Sequence, residues 1–226
     1  MEKDSKVKDK ITKGPMNKGS YQYIRRKKKA YILKVLLYVC IGLFIFLVGL
    51  FLNKFQSNNI FTVLAILMVL PGAKALTVLA VFWPFQSVSR ERIHKFYEAL
   101  KASFPDICKE ETILYDADAI EDTLNVYFDV VYTSSEKVMN LDVLLVTTTR
   151  VLGLQGREKQ KLTYLKTYLQ DSFKKRGILL GVKMYDNEEA FIKAIKELKQ
   201  EHSEDISDYK RDRDEAIEFL EASIVK

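Results

Sequence analysis

Apolar residues gather in two blocks between positions 35 and 85 of the chain. The first, Val35 to Leu52, runs 18 residues without a formal charge and is dominated by Leu, Val, Ile and Phe. At about 1.5 Å per residue a helix of that length covers roughly 27 Å, close to the hydrocarbon thickness of a bilayer, and Lys34 can extend it by snorkelling. The block lacks the polar stripe of a soluble core helix, so a spanning helix is expected over 31–52. The second block, Ile60 to Phe85, contains Pro71, Gly72 and Lys74. Pro71 has no backbone N–H and crowds the carbonyl of Leu67, so a second span over 60–85, kinked at Pro71, is expected, with a re-entrant hairpin as the alternative. The polar residues 53–59 between the blocks read as a tight external turn.

Beyond position 88 the periodicity changes. Ile93, Phe96, Tyr97 and Leu100 recur at helical spacing, so a helix with one apolar face follows the second block directly. After an acid-rich loop come two extended runs, Thr123–Tyr132 and Val138–Thr147, then Val151–Gln155, which predict a β-meander; a short strand over Thr112–Tyr115 would add to its edge. Leu162, Leu165, Leu169 and Phe173 mark a helix closed by Gly177, and the apolar run Ile178–Tyr185 suits a covered strand. Asp186 and Asn187 can cap the next helix, with Glu189 at capping-box spacing from Asp186 and Phe191, Ile195 and Leu198 facing inward, and Ile217, Leu220 and Ile224 mark an inward side of a last helix. The expected fold class is a two-helix transmembrane hairpin plus a cytoplasmic α+β domain over 88–226, a β-meander followed by β-α-β and C-terminal helices. Residues 1–30 read as a basic, mostly disordered cytoplasmic tail.

Charge orients this arrangement. The first 30 residues hold 11 Lys and Arg against 3 acids and end in Arg25, Arg26, Lys27, Lys28 and Lys29. The turn contributes only Lys54, whereas Arg90, Arg92 and Lys95 follow the second block, so both termini are expected on the cytoplasmic side. Tyr31, Trp83 and Phe85 then lie at one membrane face, where aromatic residues concentrate. The basic run is a topology signal and a membrane-surface contact for anionic lipid. The first 89 residues hold 14 of the 36 basic residues and 3 of the 30 acids, leaving 22 against 27 in the remainder. The domain is therefore acidic, and nucleic acid is not an expected partner. Lys74 is the one charge deep in a span; an ion path and a shallow kinked helix are its two readings, with the carbonyl freed by Pro71, the hydroxyls of Thr62, Thr77 or Tyr38, or another subunit as neutralising contacts.

Catalytic signals are sparse. Cys40 and Cys108 supply neither a disulfide framework nor a zinc cage, and His94 and His202 lack ligand spacing. Gly153-Leu154-Gln155-Gly156 has neither the glycine spacing nor the Lys of a phosphate loop, and Ser134 and Ser135 sit in a turn. The order of elements, with Asp142 in the second long strand and Gln155-Gly156-Arg157 ending the next, resembles the restriction-endonuclease-like fold, including membrane-anchored nuclease-related domains of bacteria. That resemblance implies a metal held by an Asp and a neighbouring acid, with a Lys beside the attacking water. Gln155 brings no negative charge and Arg157 gives up no proton, so the resemblance is to a degenerate form. Asp142 then reads as a strand-edge or turn residue, and neither metal nor cofactor is expected.

The basic tail, the two apolar blocks and a domain carrying Thr133-Ser134-Ser135-Glu136-Lys137 before Leu141-Asp142 also resemble two-span membrane proteins of Gram-positive bacteria, some with a GlcNAc-transferase-like label. That label implies a sugar-nucleotide enzyme, for which the soluble part is short and lacks repeats. The expectation is an integral membrane protein in the lipid bilayer whose cytoplasmic domain binds another protein or a second copy of itself. A degenerate nuclease-like enzyme and a small component of a transport assembly are the alternatives.

Overall fold

The computed structural model describes residues 19–56, 59–105, 124–133, 137–156, 162–198 and 207–224. The chain forms two compact units, residues 24–85 and the remainder.

In the first unit, α1 (Tyr23–Leu52) is a single 30-residue helix. It begins eight residues before the expected boundary at 31, so Arg25 to Lys29 are helical rather than part of a disordered tail. The reason is local: Lys and Arg are good helix formers, and no breaker separates them from the apolar block. The second apolar block divides into α2 (Ile60–Leu67) and α3 (Val69–Phe82). The one-residue interruption falls at Met68, beside the Leu67 carbonyl that Pro71 cannot satisfy. Pro71 itself lies within the first turn of α3, where a missing N–H costs little, and the helix stops at Phe82 rather than at 85 because Pro84 follows. Asn59 caps α2 by accepting from the Thr62 N–H at 3.1 Å.

Small residues bring these helices together. A side chain at Gly49 would run into the Cβ of Phe61, and the Gly42 and Gly72 backbones lie against Met68 and Tyr38 respectively. At the other end, the Lys28 ammonium donates to the Trp83 carbonyl at 2.9 Å and also to that of Phe85, satisfying groups left open at the end of α3. Both α1 and the α2–α3 pair are long and apolar enough to cross a membrane, and only 6% and 11% of their most apolar windows are buried.

The second unit is a four-stranded mixed sheet between two helical layers. Its elements are α4 (Arg90–Ser103), β1 (Leu124–Thr133), β2 (Val138–Thr147), β3 (Arg150–Gln155), α5 (Leu162–Arg176), β4 (Gly181–Tyr185), α6 (Glu188–Glu197) and α7 (Ser207–Ser223). The strand order is β1-β2-β3-β4, antiparallel through the meander and parallel between β3 and β4. One core joins α4 and α6 to the sheet through Phe96, Leu100, Val126, Phe128, Val143 and Phe191; the other joins α5 and α7 through Leu144, Leu165, Leu169, Phe173 and Leu220. The expected meander, β-α-β unit and later helices are present, but the two-sided cover makes this a three-layer α/β/α arrangement. The expected strand at Thr112–Tyr115 lies outside the described residues.

The start of β4 differs from the expected position at Ile178. Gly177 takes φ +74° after α5, its N–H donates to the Lys174 carbonyl at 3.2 Å, and the Ile178 N–H donates to Phe173 at 3.0 Å. This Schellman closure uses Ile178 to end the helix, so pairing starts at Gly181. β4 pairs only with β3 among the described residues, and Gly181 and Lys183 are exposed, so it is not a covered strand. Of the two expected caps of α6 it is Asn187 that serves, its Oδ1 accepting from the Glu189 N–H at 2.8 Å. In α7 the inward side is built by Ala216, Phe219, Leu220 and Ile224 with Arg213, while Ile217 is only half-buried.

Candidate functional site

In a regular strand, residues two apart share a face of the sheet. On β1, Val126 and Phe128 face the α4–α6 core, yet Val130 and Tyr132 face the α5–α7 core. On β2, Leu145 and Val143 face the first core, but Leu141 and Met139 face the second. Both strands reverse at one rung. The flanking pairs Phe128↔Val143 and Val130↔Leu141 place Asp129 opposite Asp142 there. Asp129 makes its reversal with φ +52°, a left-handed conformation that Asp tolerates better than most side chains. On the β3 side the register shifts between Leu141 and Val143, so Asp142 sits at a bulge.

The two carboxylates secure the start of α4. Asp129 Oδ1 accepts from the Val88 N–H at 2.9 Å. One turn further on, Arg92 donates through Nη1 to Asp142 Oδ2 and through Nε to Glu188 Oε2 at 3.1 Å, and Lys95 lies 3.4 Å from Glu188 Oε1. The helix that carries Arg92 is set by Ser89, whose hydroxyl accepts from the Arg92 N–H at 3.4 Å. Asp142 is buried, with a side-chain exposure of 5% against 33% for Arg92. Burial pushes the Asp142 carboxyl above its ordinary range; Arg92 opposes the shift without cancelling it, and the charge of Glu188 adds to it.

The remaining wall is polar and tight. Asn140 is buried on the same side as Asp142, and its Nδ2 donates to the Val130 carbonyl at 3.3 Å. The Gly156 backbone comes so close that a side chain there would meet both Asp142 Oδ1 and Asn140 Oδ1. Asp142 and Gln155 lie on adjacent strands, but Gln155 is paired with Leu141, which faces the α5–α7 core, whereas Asp142 meets Arg92 on the α4 side; Arg157 lies outside the described residues. Asp142 is neither at an edge nor in a turn, because β2 is an inner strand. Arg92, Glu188 and Asp129 are the members of this site that sequence reasoning missed. The one available signal for Asp129 was an acid in the middle of an apolar strand directly across from a second acid.

This donor set fits a divalent metal poorly. Among the described residues no group of three His, Cys, Asp or Glu side chains could hold an ion, and the strongest carboxylate is already charge-paired to a guanidinium. What the arrangement can do is fasten α4 and α6 to the centre of the sheet.

The other candidates are dispersed. His94 is exposed on α4, while Cys108, His202, Ser134 and Ser135 lie outside the described residues. Lys74 is exposed on α3, and two of the three hydroxyls expected near it are engaged locally: Thr77 Oγ1 donates to the Ala73 carbonyl at 2.9 Å, and Thr62 Oγ1 donates to Asn59 Oδ1 at 3.4 Å. The tyrosines form a second polar group under α7. Tyr127 donates to Glu221 Oε1 at 2.9 Å, and the fully buried Tyr132 hydroxyl has no hydrogen-bond partner among the described residues.

No family model, no curated protein and no solved structure matches this chain.

Proposed function

We propose that this chain is an integral membrane protein whose apolar helices cross the bilayer as a hairpin, with both termini on the cytoplasmic side. Its acidic α/β/α domain is a non-catalytic binding module at the inner leaflet, taking a protein partner or a second copy of the chain. The observation that carries this reading is the exposure of α1 and of the α2–α3 pair along nearly their whole apolar length. Such a surface is stable in hydrocarbon and not in water. The basic run from Arg25 to Lys29 favours cytoplasmic retention of that end. On the domain, the engagement of Asp142 by Arg92 favours binding over catalysis, since it leaves the strand carboxylate a structural task.

Alkaline carbonate washing of membranes should leave the full-length chain in the pellet, and protease added outside intact cells should spare residues 88–226. Purification in mild detergent should then bring down a stoichiometric partner or a second copy. Release by carbonate, or external cleavage of the domain, would overturn the membrane reading; a monomer without companions would overturn the binding module.

A second reading has one observation in its favour. A helix, an antiparallel meander, a helix and a parallel fourth strand, with Asp142 on the second strand, are compatible with a degenerate endonuclease-like domain. In that reading Arg92 substitutes for the lost metal as the counter-charge of Asp142. Restoring Glu at 155 and Lys at 157 while removing the Arg92 charge, then assaying magnesium-dependent cleavage of a DNA duplex, tests it. Cleavage would support descent from such an enzyme, and its absence would leave the binding reading alone.

A further inference from the structure

Between α1 and the α2–α3 pair lies an apolar groove of about 550 Å³. Tyr38, Gly42 and Phe46 line one side and Ala65, Gly72 and Leu76 the other. The groove is closed near the turn, where Gly49 meets Phe61, and spanned at the opposite end by Lys28 and the carbonyls after α3. Its lining runs from Val35 to Phe46 on α1, roughly 16 Å of helix, and from Thr62 to Leu76 on the paired helices, roughly 21 Å, against the ~30 Å of a bilayer's hydrocarbon. That is long enough to lay an extended acyl chain along it.

Continued toward the N-terminus at helical spacing, the same stripe of α1 leads through Lys34 and Tyr31 to Lys28 and Lys27. Lys34 and Lys27 stand over the Tyr31 ring, with Nζ 4.8 and 5.8 Å from its centroid. The apolar slot therefore shares its stripe of α1 with a cationic shelf at headgroup level. We propose that this groove binds one acyl chain of an anionic phospholipid whose phosphate is held at Lys27 and Lys34, an inference that rests on the membrane reading above.

Charge separates this occupant from a second copy: a copy in the same orientation would bring its own Lys27 and Lys34 to this level, like charge against like charge, whereas an anionic headgroup neutralises them. Charge complementarity selects the headgroup, because cationic side chains at the surface attract anionic lipid while leaving zwitterionic lipid nearly unaffected.

The test uses the full-length chain in vesicles of phosphatidylcholine and phosphatidylglycerol in equal amounts, extracted gently, with bound lipid identified by native mass spectrometry. Wild type should retain phosphatidylglycerol in preference to phosphatidylcholine. Ala65→Phe, which fills the groove, should lose both lipids. The double substitution Lys27→Gln with Lys34→Gln leaves the groove intact; it should keep a bound lipid but lose the preference by about tenfold or more. Equal retention of the two lipids by wild type, or unchanged retention by Ala65→Phe, would overturn the proposal. A lipid-free dimer that Ala65→Phe converts to monomer would overturn it in favour of a second copy. Carbonate washing of the same vesicles separates the two failures: a chain that is washed off defeats the membrane reading itself, whereas one that stays without lipid defeats only this site.

Discussion

Arg92, in the first turn of α4, pairs with Asp142 on the inner strand β2 across 50 positions of sequence. The exposed part of the guanidinium is solvated, but the carboxylate is not, so the pair matters most to Asp142. Arg92→Met should destabilise the full-length protein in detergent by about 2 kcal/mol at neutral pH, below the 3–5 kcal/mol of a fully buried pair. The loss should shrink in acid, when Asp142 is protonated and no longer needs a counter-charge. Denaturant titration at several pH values reads both.

The raised Asp142 carboxyl has its own pH signature. The folded protein holds this proton more tightly than the unfolded chain, so its contribution to stability is complete below the ordinary carboxylate range and is lost as pH rises through the folded value. Relative to Asp142→Asn, wild type should therefore gain stability as pH falls from neutrality toward that range. A difference that is flat, or of opposite slope, would remove burial as the governing cause.

Gly156 should not accept a side chain. Gly156→Ala drives a methyl group into the carboxylate of Asp142 and the amide of Asn140, at a cost of about 1–3 kcal/mol. Hydrogen exchange should show the opening concentrated in β2 and the first turn of α4 while α5 stays protected.

Tyr132→Phe is expected to stabilise. The hydroxyl it removes is buried with no partner among the described residues, so its loss should return about 1 kcal/mol. Burial, reinforced by Tyr127, Tyr168 and Glu221, holds the Tyr132 hydroxyl well above its ordinary value. Its contribution is present below the ordinary tyrosine range and lost as pH rises toward the folded value. The Phe variant should accordingly lose less stability than wild type in alkali, as read by circular dichroism.

Lys28→Met removes the donor shared by the Trp83 and Phe85 carbonyls. The cost should be about 1–2 kcal/mol, read as an earlier thermal transition of Trp83 fluorescence in micelles. Ten of the eleven basic residues among the first 30 remain, so orientation in the membrane should not change.

The apolar helices, the meander and the helix closed at Gly177 were all legible in the residues, because each follows from a short-range rule: unbroken hydrophobicity, alternation with period two, or a left-handed glycine after a helical stripe. The break before Pro71 was legible for the same reason, to within three residues. The start of β4 was misread because an apolar run does not show that its first backbone N–H is already committed to the preceding helix. At the site, Asp142 and Gln155 could be singled out by residue type, but not their environment.

Sequence by itself determined where hydrocarbon-compatible helices lie, the order of elements in the domain, and the basic-to-acidic asymmetry, since all are carried by neighbouring residues. The fold decided that both central strands reverse faces at Asp129 and Asp142, that Arg92 rather than a second carboxylate meets Asp142, and that an apolar groove separates the apolar helices. These depend on groups distant in the chain sharing one small volume. Burial and charge act there through space, and no local periodicity encodes them.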